Sequence, residues 1–364
     1  MSLELGIVGL PNVGKSTLFN ALAGTSVPCS NYPFCTVDEN VGVVAVPDER
    51  LERLGELLRP EKLTPTTIRF VDIAGLVRGA SRGEGLGNKF LASIRDVDAL
   101  AHVVRCFASP SVGHVEGGVD PARDVGVVRT ELLLADLQTA ERNLDRQEKD
   151  ARRGDKEAGE VARVLEKVRG GLDEGIDVRR QDLAEAEERR IAQYRFLTAK
   201  DSLFVANVSE DDSGEKKGGW VEAIAGAAGE PPWKVVPIVA SLEAELRALD
   251  ASERAEFVAA WGLSETGLAR LVTTGYRLLN LISFFTIKGT EVRAWTVEAG
   301  TRVAAAAGKI HSDMETGFIK AEVVTFEELV SDGSLHGARE KGKARTEGRD
   351  YAVQDGDVIL IHFH

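Results

Sequence analysis

Residues 9–16 form a glycine-rich segment that is compatible with very few folds. The segment reads Gly-Leu-Pro-Asn-Val-Gly-Lys-Ser and fits the pattern G-x-x-x-x-G-K-[ST] at every defined position. It follows an apolar run at 5–10 and precedes a helical pattern at 15–23, which is the strand–loop–helix context that a phosphate-binding loop requires. Glycines let backbone N–H groups turn towards phosphate oxygens, and the helix N-terminus adds partial positive charge. The sequence therefore predicts a P-loop.

Short apolar runs recur along the chain and are typical of buried parallel strands. They occupy residues 68–71, 100–104, 203–206 and 235–239, and half of their members are β-branched. Strands of this kind are covered by helices on both faces, so they read as continuous apolar runs. Alternation of such strands with helices predicts a doubly wound α/β domain. We expect this P-loop NTPase domain to comprise residues 1–127 and 201–280.

Residues 128–200 interrupt that alternation with a segment rich in Glu, Arg, Leu and Ala that has no proline. Two narrow apolar seams follow a 4-3-4 spacing, which predicts two packed helices: Leu133, Leu137, Ala140 and Leu144, then Val161, Leu165, Val168 and Leu172. We expect breaks at Gly154 and at the Gly170–Gly171 pair, and hence a helical coiled-coil arm. The hairpin buries its own seam, so a monomer is expected. The arm either docks a partner or is an ordinary helical subdomain.

The C-terminal segment has a different residue pattern, and we expect a small α+β domain at 281–364. Two extended stretches flank Gly289 as in a hairpin, and a terminal strand follows Asp355-Gly-Asp357. A basic run at 339–345 is either a solvated loop or a local RNA contact.

The net charge of −13 argues against DNA binding by bulk electrostatics. With no membrane-length apolar run and no signal-peptide pattern, the expected location is the cytoplasm.

The segment after the strand at 68–71 predicts the magnesium side of the site. Asp72 is expected to hold Mg²⁺ through water, and the Gly75 N–H to meet the γ-phosphate. Lys15 would place its positive charge beside the outer phosphates, and Ser16 would offer its hydroxyl to Mg²⁺. Thr36 is the candidate switch threonine that closes on Mg²⁺ in the triphosphate state. The expected metal ligands are therefore Ser16, Thr36 and Asp72.

Together these motifs resemble the Obg-like ATPases, the YchF family of TRAFAC-class P-loop NTPases. The resemblance spans nearly the whole chain and rests on segments 9–16, 31–36, 72–90, 207–210, 300–318 and 355–357. It implies a Ras-like domain interrupted by a coiled-coil arm, followed by a TGS domain with a ubiquitin-like β-grasp fold. It also implies a preference for ATP over GTP and association with the ribosome, through ribosomal RNA or protein surfaces.

The base-reading loop departs from that of ordinary GTPases. A guanine-reading loop is Asn-Lys-x-Asp, whereas this chain has Asn207-Val208-Ser209-Glu210. Val208 replaces the lysine, and Glu210 is one methylene longer than the aspartate that accepts guanine donors. Asn207 can pair its amide with the N6/N7 edge of adenine. The loop predicts ATP as ligand with GTP weaker, and a relaxed GTPase that still accepts GTP remains open.

A second departure concerns the attacking water. Ras-like GTPases place a water-orienting glutamine where this chain has Leu76, so slow intrinsic turnover is expected. The resemblance implies that His114, in a glycine-rich loop, positions the attacking water in place of that glutamine and enters the site in a closed state. The alternative is a surface-loop histidine without a role. Asn12 either ligates K⁺ or bonds its own backbone.

The sequence thus predicts a Mg²⁺-dependent ATPase that acts as a nucleotide-controlled switch on the ribosome. The catalytic candidates are Lys15, Thr36, Gly75 and His114. Two other interpretations remain open: a GTP-binding translation factor, and a scaffold in which ATP is a slowly hydrolysed structural ligand. The expected nucleotide contacts are Asn12, Val13, Gly14, Lys15, Ser16, Thr17, Asn207, Val208, Glu210, Ser241 and Leu242.

Overall fold

The chain forms two compact units in the computed structural model. The model describes residues 4–24, 40–73, 86–109, 112–115, 117–210, 219–246, 248–260 and 263–364. The first unit comprises Met1–Gly42 and Arg69–Thr274, and the second comprises Val43–Ile68 and Gly275–His364. Within the described ranges, no helix is both long and apolar enough to cross a membrane.

A six-stranded sheet organises the first unit, with strand order β2-β4-β1-β5-β6-β7. The strands are β1 (Glu4–Val8), β2 (Val41–Ala45), β4 (Thr67–Asp72), β5 (Ala99–Arg105), β6 (Ser202–Asn207) and β7 (Val235–Ile238). The β1–β4, β1–β5, β5–β6 and β6–β7 pairs are parallel. Every residue of β5 is buried, as expected for a strand covered on both faces. The predicted α/β fold is confirmed.

Helices of the first unit lie between these strands in the chain or follow the last of them. They are α1 (Lys15–Gly24), α3 (Leu86–Asp96), α7 (Trp220–Ala228), α8 (Ala240–Leu246), α9 (Ala251–Ala260) and α10 (Gly267–Leu278). The chain passes from the end of β1 through the P-loop directly into α1. Because the strands are parallel, the loops that follow them meet at one edge of the sheet, where ligands of open α/β sheets bind.

The predicted helical arm is present as an antiparallel pair. Helix α4 (Pro121–Arg152) begins at the N-cap Asp120, and Gly154 with φ of 101° separates it from α5 (Lys156–Asp173). The predicted seam residues lie in one apolar cluster between the helices, most of them buried. The chain returns through α6 (Glu185–Ile191) and short 3-10 helices at Val178–Arg180, Ala192–Tyr194 and Leu197–Ala199.

The predicted helix break at the Gly170–Gly171 pair is wrong, because α5 continues through both glycines to Asp173. The reason is tertiary. A Cβ at Gly171 would lie 2.4 Å from the Gln181 side-chain amide, whose Nε2 donates to the carbonyls of Val168 and Ile176. Glycine therefore lets Gln181 approach the helix closely. Tertiary packing of this kind offsets the cost of about 1 kcal/mol for glycine in a helix.

A second six-stranded sheet forms the second unit, with strand order β11-β10-β12-β8-β9-β3. Its strands are β3 (Lys62–Thr64), β8 (Leu281–Lys288), β9 (Glu291–Glu298), β10 (Phe318–Thr325), β11 (Arg345–Glu347) and β12 (Asp357–Phe363). The terminal strand β12 lies centrally, parallel to β8 and antiparallel to β10. This order, with a hairpin at either side of the last strand, is the predicted β-grasp arrangement.

Helices cover both faces of this second sheet. They are α2 (Glu49–Leu58), α11 (Val303–Ile310), α12 (Ser312–Thr316), α13 (Phe326–Asp332) and α14 (Leu335–Glu340). One apolar cluster includes α11 and Phe284, and the other includes α2, α13 and Phe285. The basic run at 339–345 is paired within the unit: Lys341 and Lys343 both contact Asp332, at 2.7 and 3.0 Å.

Residues 43–68 belong to this second unit, whereas the sequence analysis placed them with residues 1–127. Strand β3 pairs in parallel with β9, from Lys62 opposite Glu291 to Thr64 opposite Arg293. In α2, Arg50 donates to Asp355 at 3.0 Å and its guanidinium lies 5.5 Å from the centre of the Phe285 ring. Pairing between residues more than 200 positions apart gives no local sequence signal.

Candidate functional site

The P-loop follows β1 and requires glycine at both ends. Gly9 has φ of 152°, and a Cβ there would lie 2.4 Å from the Val103 carbonyl oxygen on the neighbouring strand. Gly14 has φ of 97°, and its Cβ would lie 2.3 Å from Asn207 Nδ2. Both conformations disfavour side-chain-bearing residues. The loop therefore packs tightly between β5 and the end of β6.

Lys15 is buried at the start of α1 and is held within the P-loop. Its Nζ donates to the carbonyls of Leu10 at 2.7 Å and of Gly9 at 3.1 Å. Burial lowers the pKa of Lys15 to about 8, although the neighbouring Asp72 opposes that shift. Phosphate oxygens at the helix N-terminus would replace the carbonyls as partners and favour the charged form. Lys15 thus occupies the position predicted for a phosphate-binding lysine.

The described metal candidates are Ser16 and Asp72. Asp72 ends β4 and lies in register with Ile7 of β1, so it emerges beside the P-loop. Burial raises the pKa of Asp72, and Lys15 opposes that shift. Ser16 is exposed in the first turn of α1. A hydroxyl, a carboxylate and phosphate oxygens are a donor set that fits Mg²⁺. Among the described residues, no group of three or more His, Cys, Asp or Glu forms a metal cluster.

A cavity of about 290 Å³ adjoins the P-loop on the side of the base-reading loop. Several of the residues predicted to contact the nucleotide lie together in its wall, beside residues that are not among those predictions. The lining residues are Gly14, Thr17, Phe107, Ala108, Asn207, Val208, Ser209, Glu210, Ala240 and Ser241. Phe107 lies two residues beyond Arg105, the last residue of β5, so the rule that ligands bind beyond the carboxyl ends of parallel strands indicates it.

Asn207 ties this cavity to the P-loop. Its Nδ2 donates to the Val13 carbonyl at 2.8 Å, and its Oδ1 accepts from the Ala240 N–H at 3.1 Å. The side chain is therefore oriented by protein contacts on both sides. The predicted bond to an adenine edge remains a prediction. What the structure adds is that Asn207 supports the P-loop.

Two other predicted contacts contribute to the apolar interior. Leu242 is buried in a cluster with Val208 and Ile224 and does not line the cavity, because α8 turns that side chain towards the core. Val13 is also buried, so the backbone of Val13 is the part of the residue that faces a ligand. Glu210 and Ser241 lie on the cavity wall, and their contact with a nucleotide stays a prediction.

The glycine-rich loop that carries His114 is held against the P-loop. The Gly113 carbonyl accepts from Asn12 Nδ2 at 3.2 Å and from Arg105 at 3.3 Å, and the Val112 carbonyl accepts from Arg105 at 2.9 Å. Arg105 is fully buried at the end of β5, although it is charged. The Asn12 amide thus bonds to another loop, rather than only to its own backbone.

His114 is not a surface histidine, since its side chain is only 6% exposed. Its Nε2 lies 2.8 Å from Oδ2 of Asp124, which is in the first turn of α4. The surface position in the alternative interpretation of His114 is therefore wrong. A role in hydrolysis remains a prediction. Thr36, Gly75 and Leu76 lie outside the described residues.

These elements assemble one site along the edge of the sheet. A phosphate-binding loop with a buried lysine is flanked by a carboxylate and a hydroxyl suited to Mg²⁺ on one side. On the other side is a cavity that suits a nucleobase, and a constrained histidine lies on a loop bonded to the P-loop. Such a site suits binding and hydrolysis of a nucleoside triphosphate.

Two family models match the chain. One, described as "50S ribosome-binding GTPase", matches residues 4–150. The other, YchF-GTPase_C, is described as "Protein of unknown function (DUF933)" and matches residues 281–364. The first match covers the P-loop and Asp72, and the second covers the β-grasp sheet apart from β3.

Full-length relatives and a solved structure agree with these matches. The chain is 48% identical over 364 residues to the Ribosome-binding ATPase YchF of Haemophilus influenzae, with all of both chains covered. It is 46% identical over 368 residues to the Ribosome-binding ATPase YchF of Bacillus subtilis, again over both full lengths. The solved structure of the Schizosaccharomyces pombe YchF GTPase superposes with a TM-score of 0.86 at 35% identity, covering 99% of this chain and 98% of that one. The chain therefore belongs to the YchF family of P-loop nucleoside triphosphatases.

Proposed function

We propose that this protein is a ribosome-associated ATPase of the cytoplasm that works as a monomer and hydrolyses ATP slowly. The observation that carries the proposal is the continuity of the site, from buried Lys15 in the P-loop to the cavity bounded by Asn207 and Glu210. The names of full-length relatives, Ribosome-binding ATPase YchF, support the same activity and partner.

Side chains of this protein have separate roles in the proposed hydrolysis. Lys15 moves from its carbonyl partners to the phosphates and offsets their charge. His114 orients the attacking water, whose oxygen bonds to the γ-phosphorus while the bond to the β–γ bridging oxygen breaks and its electrons leave with ADP. The water proton passes to the phosphate product. Ser16, the switch Thr36 and, through water, Asp72 would hold Mg²⁺, which would supply charge neutralisation.

Preference for ATP over GTP belongs to the proposal and rests on the base loop. Val208 is buried where a guanine-reading loop has lysine, and Glu210 lies on the cavity wall. A second candidate is a GTPase, which is favoured by the description of the P-loop family model and by the name of the Schizosaccharomyces pombe relative. Equilibrium binding of ATP and GTP to nucleotide-free protein with Mg²⁺ separates the two. Tighter ATP binding supports the proposal, and tighter GTP binding overturns the base assignment.

ATP turnover measured in K⁺ and in Na⁺ buffers tests the proposed K⁺ site at Asn12. Asn12 donates through Nδ2 to the Gly113 carbonyl at 3.2 Å, so Oδ1 is the atom that would ligate K⁺. If Asn12 ligates K⁺, ATP turnover is faster in K⁺ than in Na⁺, and Asn12→Ala removes the difference. Equal turnover in the two salts would eliminate K⁺ from the proposal.

Site assignment is tested by Lys15→Ala with Lys156→Ala as its control. Lys156 begins α5 on the exposed arm, so its removal changes charge without touching the P-loop. We expect Lys15→Ala to abolish ATP turnover and Lys156→Ala to keep it. Cosedimentation of both variants with ribosomes in ATP and in ADP tests whether nucleotide state controls association. Turnover surviving in Lys15→Ala would contradict the site.

A further inference from the structure

The loop carrying His114 is fixed at both of its ends by groups from different elements. On the P-loop side, Asn12 and Arg105 bond to the Gly113 carbonyl. On the other side, Arg123 donates to the Gly118 carbonyl. The imidazole lies between these two anchors, so its position is defined by the fold around it.

Asp124 contacts the imidazole directly. Its Oδ2 lies 2.8 Å from His114 Nε2, and the Asp124 side chain is only 2% exposed. Its second oxygen, Oδ1, accepts from the Arg123 guanidinium at 2.8 and 3.1 Å. Both carboxylate oxygens therefore have partners, and the residue is rooted in the first turn of α4. The Asp124 carboxylate is a rigid, charged acceptor beside the ring.

That contact selects the tautomer of a neutral imidazole. An ionised carboxylate only accepts hydrogen bonds, so Nε2 carries the hydrogen that is donated to Asp124. The lone pair of the neutral ring then belongs to Nδ1, which becomes the accepting nitrogen. A histidine that orients water as a hydrogen-bond acceptor needs this kind of support from a third group.

We propose that Asp124 is a positioning residue for hydrolysis, holding His114 in the tautomer and orientation in which Nδ1 accepts the hydrogen bond from the attacking water. This rests on the proposed function, specifically on the role of His114. Asp124 itself touches neither water nor nucleotide. It acts through the imidazole alone, and its loss changes the rate of the chemical step without changing the affinity for ATP.

Asp124→Asn is the decisive change, because it retains size and removes the acceptor-only carboxylate. The asparagine amide can donate to Nε2 and thereby favour the opposite tautomer. We expect kcat for ATP to fall roughly 10- to 100-fold with KM changed less than about twofold, at the lower end of a general acid–base contribution. Asp124→Glu restores the carboxylate one methylene further out and recovers part of the loss.

Asp120→Asn is the matched control. Asp120 is the N-cap of the same helix and accepts from the Arg123 N–H at 3.0 Å, so it shares the local structure and charge. Asparagine is an equally good N-cap, and we expect this variant to hydrolyse ATP at the wild-type rate. Thermal unfolding and ATP affinity of each variant establish that the protein is folded and that the P-loop is intact.

His114→Ala and the double variant separate this inference from the proposed function. We expect the His114→Ala/Asp124→Asn protein to be no slower than His114→Ala alone, because the two residues act as a unit. A wild-type rate in His114→Ala would overturn the proposed role of His114 itself. A slow His114→Ala together with an unchanged or faster Asp124→Asn would overturn only the positioning role. Additive losses in the double variant would also overturn it.

Discussion

A double-mutant cycle between Gly14 and Asn207 tests how the P-loop and the base-reading loop depend on each other. In Gly14→Ala, the new Cβ would be 2.3 Å from Asn207 Nδ2, and φ of 97° is strained for alanine. The strain costs about 1–3 kcal/mol. Displacing Asn207 also breaks its 2.8 Å bond to the Val13 carbonyl, worth about 1 kcal/mol. The binding-competent loop is thus destabilised by about 2–4 kcal/mol.

The expected effect on affinity follows from the population of the competent loop. If that conformation is destabilised by about 2–4 kcal/mol, the Kd for ATP rises roughly 30-fold to several hundred-fold. Asn207→Ala alone removes the bonds to Val13 and Ala240, and we expect an increase of similar size. In the double variant the clash is gone, but the strain at residue 14 and the loss of both Asn207 bonds remain. Because each single variant breaks the bond to Val13 and the double variant loses it only once, a coupling of about 1 kcal/mol is expected.

Titration calorimetry with ATP and Mg²⁺ on the wild type, the two single variants and the double variant measures this coupling. A matched control is Gly113→Ala, since nothing lies within 4 Å of its Cβ position. That variant should bind ATP nearly as well as the wild type. Additive losses in the cycle, with a coupling below about 0.5 kcal/mol, would refute the steric link between the two loops.

Three further outcomes follow from described contacts. Burial lowers the pKa of Lys15 to about 8, so ATP binding at about pH 8.5 should be accompanied by proton uptake. Calorimetry in buffers of different ionisation enthalpy measures that uptake. The Lys15→Arg protein should show none. The same shift means that the unfolded chain binds more protons between about pH 8 and 10.5, so the unfavourable contribution of Lys15 to the free energy of unfolding diminishes as pH rises through that window. Gly170→Ala, with nothing within 4 Å of its Cβ position, should raise the thermal stability of the arm by about 1 kcal/mol, and Gly171→Ala should not, since its Cβ meets Gln181; equal stabilisation would contradict the packing account. Phe107→Ala should weaken ATP binding by about 1–3 kcal/mol if the ring stacks on the base, and unchanged affinity would remove Phe107 from the base site.

Sequence reasoning worked where the determinants are local. The P-loop is eight consecutive residues with one spacing rule, and the strands β4 to β7 are apolar runs of the expected length. The arm seam has helical periodicity, and Gly154 marks its turn through a positive φ. Each of these signals comes from residues that are close together in the chain, so no knowledge of tertiary contacts was needed.

Structural features that depend on contacts between residues distant in the chain could not be predicted from the sequence. The break predicted at Gly170–Gly171 failed because Gln181, ten residues later, occupies the space above the helix. Strand β3 pairs with β9 across more than 200 residues, so the grouping of 43–68 with the C-terminal unit had no local signal. The side chain of Leu242, an expected nucleotide contact, is buried in the apolar core, and that contact stays a prediction.

The sequence around Asp124 is fully explained by the start of a helix, so it gives no indication of the contact with His114. The segment Asp120-Pro121-Ala-Arg-Asp124 is a good helix start, with an N-cap aspartate, proline at the first position and an acidic residue in the first turn. Favourable interaction with the helix dipole would be a sufficient reason for a carboxylate at Asp124. Only the fold brings His114 within 2.8 Å of it. Since an exposed first-turn carboxylate satisfies the helix equally well, burial of Asp124 against the imidazole indicates a requirement beyond helix stability.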